Sequence, residues 1–317
     1  GAADVDVLMP NGEEKNNITG SMIAILGAAL IKNPVTARKD AMQLFNLLMR
    51  VPDDREGALL AMSSLIDVCG EDIHTCVSEN TFSQLLQHLD PPFESWHLIR
   101  VTLGTLGQLA RSMEVKIKPY ADKIMTSLFR FLHCTEYAQL PFKVNAAVLD
   151  FVSDFALGLQ QDFARYLSHT LGLIHRSSKI TANVDSAWLV GELRVSVLET
   201  YTSIIQSIAM PWHESKRIFE SAIQAIKRFS EDVPGGAAAM DVPLLRAACG
   251  LIGDVAAKLL PHDASSALMF ARRLVYDDQL LTILGRGAKC GDSSTEASAR
   301  YGREMLSKSY NKYARGH

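Results

Sequence analysis

Apolar residues recur along this chain at three- and four-residue intervals almost from end to end, with no convincing run of the apolar–polar alternation that a half-buried strand requires. The clearest stretch is AWLVGELRVSVLETYTSIIQSI, residues 187–208. At 3.6 residues per turn, Leu193, Val197, Tyr201, Ile204 and Ile208 share one face, and Glu192, Ser196, Glu199, Ser203 and Gln206 share another. The pattern predicts a long helix with one stripe to bury and a polar stripe, carrying two carboxylates, turned to water or to a partner.

The pattern repeats. Segments of the same type occur as LLAMSSLIDVCG (59–70), LIRVTLGTLGQLARS (98–112), VLDFVSDFALGL (148–159), VLETYTSIIQSI (197–208) and AACGLIGDVAAKLL (247–260). In their shared frame Asp67, Gln108, Asp154, Ser203 and Asp254 are equivalent, at separations of 41, 46, 49 and 51 residues. A short break and a second helical segment follow each one: NTFSQLLQHL, KPYADKIMTSLFRFL, DFARYLSHTLGLI, SKRIFESAIQAIKRF, and a run ending in LVYDDQLLTIL. Proline and Gly/Asp/Asn clusters punctuate at Pro34, Pro52, Pro91-Pro92, Pro141, Pro211, Pro234-Gly235-Gly236 and Pro261.

A helix pair recurring at about 40–50 residues marks a HEAT or armadillo type of solenoid. One pair cannot bury its apolar face alone, whereas stacked pairs share a continuous core. The expected fold is therefore all-α: a HEAT-repeat solenoid, a right-handed superhelix of roughly six to seven stacked antiparallel helix pairs. Residues 1–17 are expected to form a flexible lead-in, and ITGSMIAILGAALI to enter the first repeat of a solenoid over 18–317. Residues 232–241 are expected to be an inter-helix loop, since the repeat resumes on both sides. The abrupt polar start at Gly1-Ala2-Ala3 suggests a fragment of a longer chain.

Composition narrows the classes. The chain has 317 residues, 48% hydrophobic but only 7% aromatic, with 21% charged, which suits a folded helical protein rich in aliphatics. A formal charge of −3 gives no reason to expect nucleic-acid or membrane binding. The longest apolar run, Met22 to Ile31, is half of what a membrane span needs, and the acids before it argue against a signal peptide. Five scattered cysteines (Cys69, Cys76, Cys134, Cys249, Cys290) fit free thiols of a reducing compartment better than a disulfide framework.

Catalytic chemistry finds no foothold. Gly285-Arg286-Gly287 with Gly291 lacks the strand and the terminal Lys-Ser/Thr of a phosphate-cradling loop. His74 and Cys76 near Cys69 lack a second ligand pair at zinc spacing, and no nucleophile-elbow motif organises the Ser, His and Asp residues. No enzyme, cofactor or metal is expected. Arg300, Arg303, Lys308, Lys312 and Arg315 make the last helix basic, as the outer face of a capping helix requires. The remaining signal is the acids Glu192, Glu199, Asp154 with Asp150, and Asp254. Equivalent helices of a solenoid form one wall, so these carboxylates would add into a negative stripe suited to a basic helix. Trp96, Trp188 and Trp212 suit core and helix-end packing or contact with a partner.

ELRVSVLETYTSIIQSI (192–208) and AACGLIGDVAAKL (247–259) resemble the C-terminal part of the importin-β family of karyopherin nuclear import receptors. KPYADKIMTSLF (118–129), DFALGLQQDFARYL (154–167) and STEASARYGREMLSK (294–308) extend the resemblance in order along nearly the whole chain. It implies an outer layer of A helices and an inner layer of B helices, the B layer wrapping the basic importin-β-binding helix of importin-α, or basic cargo. Glu192 and Glu199 match acidic positions of the family, and Asp154 and Asp254 match its recurrent Gly/Ser-Asp positions. Tyr301 stands where the family has a tryptophan in its final helix, and Val195 where a relative has an acid. The resemblance also implies grooves between A helices that take phenylalanines of FG-repeat nucleoporins. The GTPase Ran would be bound mainly by N-terminal repeats that lie outside this sequence. The implied location is the cytoplasm and nucleus, at the nuclear pore. A generic HEAT scaffold subunit of another assembly shares the fold and predicts a partner that is not a basic helix; an α-helical enzyme is a third alternative.

Overall fold

The computed structural model describes residues 55–75, 77–135, 140–181, 187–232, 240–262 and 265–314. The expected lead-in, the segment 18–31 and most of the loop 232–241 lie outside the described residues. Every regular element among the described residues is a helix, and the chain divides into two compact units, Gly1–Phe131 and Leu132–His317.

In the first unit, α1 (Arg55–Cys69) runs into a 3₁₀ turn (Gly70–Thr75) and α2 (Glu79–Gln87). The next pair is α3 (Trp96–Met113), a second 3₁₀ turn (Glu114–Tyr120) and α4 (Ala121–Cys134), whose last turn holds the unit boundary. α1 and α3 lie side by side. α3 starts where it does because the Ser95 hydroxyl accepts the Leu98 N–H at 3.0 Å. Phe82 of α2 stacks on Tyr120 with ring centres 4.4 Å apart, and Lys123 reaches back from α4 to Glu79 at 3.3 Å.

The second unit holds the candidate site. Its elements are α5 (Phe142–Leu159), a 3₁₀ turn (Gln160–Tyr166), α6 (Leu167–Ser177), α7 (Ala187–Ser207) and α8 (Trp212–Glu231), followed by α9 (Val242–Leu259), α10 (Ser265–Val275), α11 (Asp278–Gly287) and α12 (Ser293–Ala314). Pro141 and Pro211 occupy the N-caps of α5 and α8, and the Asp241 carboxylate caps α9 through the Leu244 N–H at 2.9 Å. α5, α7, α9 and α12 pack side by side as a layer, with α6, α8 and α10 packed against it. The expected stripe of α7 is buried as a whole: Leu193, Val197, Tyr201, Ile204 and Ile208 are each at most 2% exposed. Each such side chain contributes about 1.5–3 kcal/mol relative to exposure.

Two expectations change. The last paired segment, LVYDDQLLTIL, is not one helix, because the Asp277 side chain accepts the Leu280 N–H and starts α11 anew after α10. The polar stripe of α7 is also not wholly turned to water. Ser196 and Ser203 are buried against α5, where Ser203 shares a 2.6 Å hydrogen bond with Ser153. An inner helix has a neighbour on each flank, so its shorter polar side chains pair across the seams.

Candidate partner-binding site

On α7, Trp188, Glu192, Val195 and Glu199 recur at helical spacing. Trp188, Glu192 and Glu199 are exposed and Val195 is half-buried. The seam beside them is fixed by α5: the Thr200 hydroxyl donates to the Leu149 carbonyl at 3.1 Å, and Ser153 meets Ser203. That register sets Asp150 and Asp154 of α5 next to Glu192 and Ser196 of α7. The Asp150 carboxylate accepts from Ser196 and feels both Asp154 and Glu192. Its side chain is open to water yet walled in by the two helices, and this crowding is the main cause that raises its proton affinity above the ordinary carboxylate range. The charges of Asp154 and Glu192 push the same way; the hydrogen bond from Ser196 opposes them. Like charges gathered on a solvent-facing seam form a ready site for a cation.

The structure gathers Asp150, Asp154 and Glu192 around one seam and places Glu199 further along the same face of α7. Asp254 and Tyr301 sit in the next two seams. Asp254 is only 9% exposed. Its Oδ2 accepts from the Gln206 amide at 3.1 Å and its Oδ1 from the Tyr301 hydroxyl at 3.0 Å, so one carboxylate joins α7, α9 and α12. Burial is the main cause that raises the Asp254 carboxyl, against the pull of Tyr301, Gln206 and Lys258. Burial, followed by the adjoining carboxylate, pushes the Tyr301 hydroxyl up to about 12. Tyr301 fits there because residue 253 is glycine: a Cβ at that position would lie 2.5 Å from the tyrosine ring.

A charged residue that sequence reasoning passed over is Arg194. The residue is 8% exposed, and its guanidinium donates to Asp232 at 3.0 Å and lies 5.2 Å from the centre of the Phe229 ring. It ties α7 to the end of α8, and its place on the apolar side of α7 was the one available signal.

A second feature lies between α8 and α10. A cleft of about 280 Å³ has Ile223, Phe270 and Leu274 in its walls, with Lys227, Asp277, Glu220 and Arg273 at its rim. Lys227 pairs with Asp277, and Arg273 lies 4.0 Å from Glu220. A benzene ring fits a cavity of about 150 Å³, so the cleft has room for one aromatic side chain. Among the described residues no group of three or more His, Cys, Asp and Glu is placed to hold a metal ion, and no helix is long and apolar enough to cross a membrane.

The family model described as importin subunit beta-1-like, TPR repeats, matches residues 11–275. This chain belongs to the importin subunit beta-1-like family. The fission yeast (Schizosaccharomyces pombe) importin subunit beta-1 is 27% identical over 289 residues, covering 85% of this chain and 31% of that protein. The Arabidopsis thaliana importin subunit beta-1 is 26% identical over 273 residues, covering 79% and 30%. This importin-β-family chain therefore spans about a third of the length of these relatives. Among solved structures, yeast importin-beta (Kap95p) superposes with a TM-score of 0.74 at 20% identity, covering 97% of this chain and 35% of that one. The Kap95:Nup1 complex gives 0.72 at 20% identity, covering 97% and 36%. These likenesses establish the fold as the HEAT-repeat solenoid of importin-β. The family description speaks of TPR repeats, but the spacings of 46, 49 and 51 residues in this chain exceed the 34-residue TPR period and suit HEAT units.

Proposed function

We propose that this importin-β-family chain acts in nuclear transport by holding the basic importin-β-binding helix of importin-α, or an equivalent basic cargo helix, on the layer formed by α5, α7, α9 and α12. The observation that carries the reading is the seam between α5 and α7, where Asp154 and Glu192 stand close enough to Asp150 for their charges to oppose its ionisation. A cationic helix laid along it relieves that repulsion, and Glu199 extends the attraction along α7. Asp254 and Tyr301 support the same surface from the adjoining seams, where the inter-helix hydrogen bonds fix the spacing of the acidic helices. The mechanism needs no chemistry: charge steers the helix in, and wrapping holds it.

The test is a titration of a labelled Arg/Lys-rich helix into the protein at two salt concentrations. Binding that falls steeply with salt, and that Glu192→Lys with Glu199→Lys weakens by at least ten-fold, supports the assignment. Binding indifferent to the double reversal overturns it.

A separate observation favours a second partner. The cleft between α8 and α10 has Ile223, Phe270 and Leu274 among otherwise polar walls, is sized for one ring, and lies between helices of neighbouring repeats. The fold neighbour Kap95 has been captured in complex with Nup1. The cleft is proposed as a phenylalanine pocket for an FG-repeat nucleoporin, and Leu274→Arg should abolish binding of an FG peptide while leaving the basic helix bound. Ran is assigned to repeats beyond this chain.

A further inference from the structure

Three of the eight large apolar side chains that stand exposed among the described residues, Met269, Tyr276 and Leu281, fall within thirteen positions of one another. Exposed apolar residues scattered singly need no explanation, but a concentration of them does. On α10, Ser265, Met269, Arg272 and Tyr276 follow at four-, three- and four-residue steps and share one stripe, opposite the buried Ala267, Phe270, Ala271 and Leu274. Met269 is 60% exposed and Tyr276 65%, so the stripe is turned to solvent. It is a different face from the cleft, which uses Phe270, Arg273 and Leu274 of this helix. Tyr276 is nevertheless held in place. Its ring meets Tyr310 of α12 edge-on with centres 6.0 Å apart, and the two hydroxyls lie 3.3 Å apart. The hydrogen bond with Tyr310 raises the Tyr276 hydroxyl, while the Arg272 charge one turn back lowers it. Two phenols carry two O–H protons and share only one between them, so the pair has a donor left to offer outward. Arg272 makes no ion pair among the described residues, and Arg273 reaches Glu220 only at 4.0 Å. Asp277 is engaged by Lys227 and by the cap of α11, and Asp278 sits in the first turn of that helix.

We infer that this outer face of α10, with Tyr310 beside it, docks an acidic, apolar segment of a partner protein. An aliphatic or aromatic side chain of the segment lies between Met269 and Tyr276, and a neighbouring carboxylate bridges the Arg272 guanidinium and the outward phenol O–H. Methionine, tyrosine and arginine are the residue types concentrated where protein interfaces bury most. The sign of the ligand follows from the charges: a carboxylate takes the fork of an unpaired guanidinium with two parallel hydrogen bonds, whereas a basic segment would meet Arg272 and Arg273 with like charge. The contact between Tyr276 and Tyr310 already fixes both rings, so little side-chain freedom is lost when the segment arrives. None of the four residues belongs to the acidic seam or lines the cleft, so a failure of either leaves this surface intact.

The probe is a fluorescein-labelled peptide rich in Asp, Glu, Leu and Phe, with the same sequence carrying Asn and Gln for its acids as the control, titrated into the full chain by anisotropy. The wild type should bind the acidic peptide at least ten-fold more tightly than the amide control, and Arg272→Glu should remove that advantage. Arg272→Lys should recover only part of it, because an ammonium keeps the charge but not the fork. Tyr276→Phe removes one hydroxyl and should weaken binding about two- to ten-fold. Met269, Arg272 and Tyr276 are exposed, so the urea midpoints of these variants should stay near that of the wild type. Absence of binding, equal binding of the amide control, or an affinity indifferent to Arg272→Glu overturns the proposal. A second readout locates the ligand: with methyl-labelled methionine, the Met269 resonance, assigned through Met269→Leu, should move on titration, and an unmoved signal overturns the assignment to this face. Sedimentation without peptide reads the rival occupant. A concentration-dependent dimer that Tyr276→Glu abolishes would give the surface to a second copy of this chain and overturn the acidic segment.

Discussion

Asp254 holds two neighbours with one carboxylate, and its titration records what that costs. Burial raises its carboxyl above the ordinary 3.8, more than Tyr301, Gln206 and Lys258 lower it. The native state thus binds more protons than the unfolded chain between 3.8 and the raised value. The contribution of this group to stability is greatest below 3.8 and is lost as pH rises through the native value. Asp254→Asn removes the titration while keeping an oxygen for the Tyr301 hydroxyl. The unfolding free energy of the wild type minus that of Asp254→Asn should therefore grow as pH is lowered from 7 towards 4, read from urea midpoints at fixed pH. A flat difference would contradict the assignment. Asp254→Ala should instead cost about 1–3 kcal/mol at neutral pH, because the Gln206 and Tyr301 donors lose their acceptor in a half-dry seam. Asp150 is raised in the same direction but faces solvent. A cation bound beside it drives its proton off, so the affinity for a basic helix should fall as pH drops through the raised Asp150 value, with proton release visible in calorimetry in buffers of different ionisation enthalpy.

Three helices of the α1, α3, α5 series end in one way. Gly70, Glu114 and Gln160 all have φ near +50°, and each opens a 3₁₀ turn that buries an apolar anchor: Ile73 in the first, Ile117 in the second, and Phe163 with Tyr166 in the third. Only the first of the three sites uses the residue that this left-handed backbone favours. Glycine loses more entropy on folding, but relief of the strained backbone outweighs it, so Gln160→Gly should raise stability by about 0.5–1 kcal/mol. A Cβ at Gly70 would meet nothing within 4 Å, so Gly70→Gln isolates the same backbone term and should destabilise by about 1 kcal/mol. Denaturant midpoints of the two variants check the pair, and shifts of the same sign would refute the common motif. The close crossing of α9 and α12 uses glycine for a different reason. A Cβ at Gly302 would stand 2.9 Å from the Cys249 carbonyl oxygen, and backbone there has little room to yield. Gly302→Ala should cost about 1–3 kcal/mol.

At the scale of the chain, the apolar periodicity and its spacing of 41 to 51 residues were enough to place α1, α3, α5, α7 and α9, because burial on a layer repeats wherever the helix does. The left-handed ends at Glu114 and Gln160 were not legible, since neither residue type signals positive φ. The acidic character of the site was legible in Glu192 and Glu199, but the cation that stands near it was not: the Lys143 ammonium lies 5.0 Å from the centre of the Trp188 ring, a contact that depends on the register of α5 against α7, which no local pattern encodes. That dependence of each helix on its neighbour also predicts how the second unit comes apart. Lys258 of α9 donates to the Gln206 carbonyl at 3.1 Å, and Lys312 of α12 donates to the Leu260 carbonyl, so α9 caps the end of α7 and α12 caps the end of α9. The seams act between nearest neighbours, and stability in such an array is close to a sum of local and neighbour terms. Removing residues 293–317 strips α9 of Tyr301, of the Lys312 cap and of the glycine-lined crossing, whereas the seam between α5 and α7 keeps every contact described above. Hydrogen exchange followed by mass spectrometry on the truncated chain should show protection lost most in α9 and α11, partly in α7, and least in α5. Uniform loss of protection from α5 to α11 would mean that the unit unfolds as one cooperative block, and that its helices are not stacked as neighbour-coupled repeats.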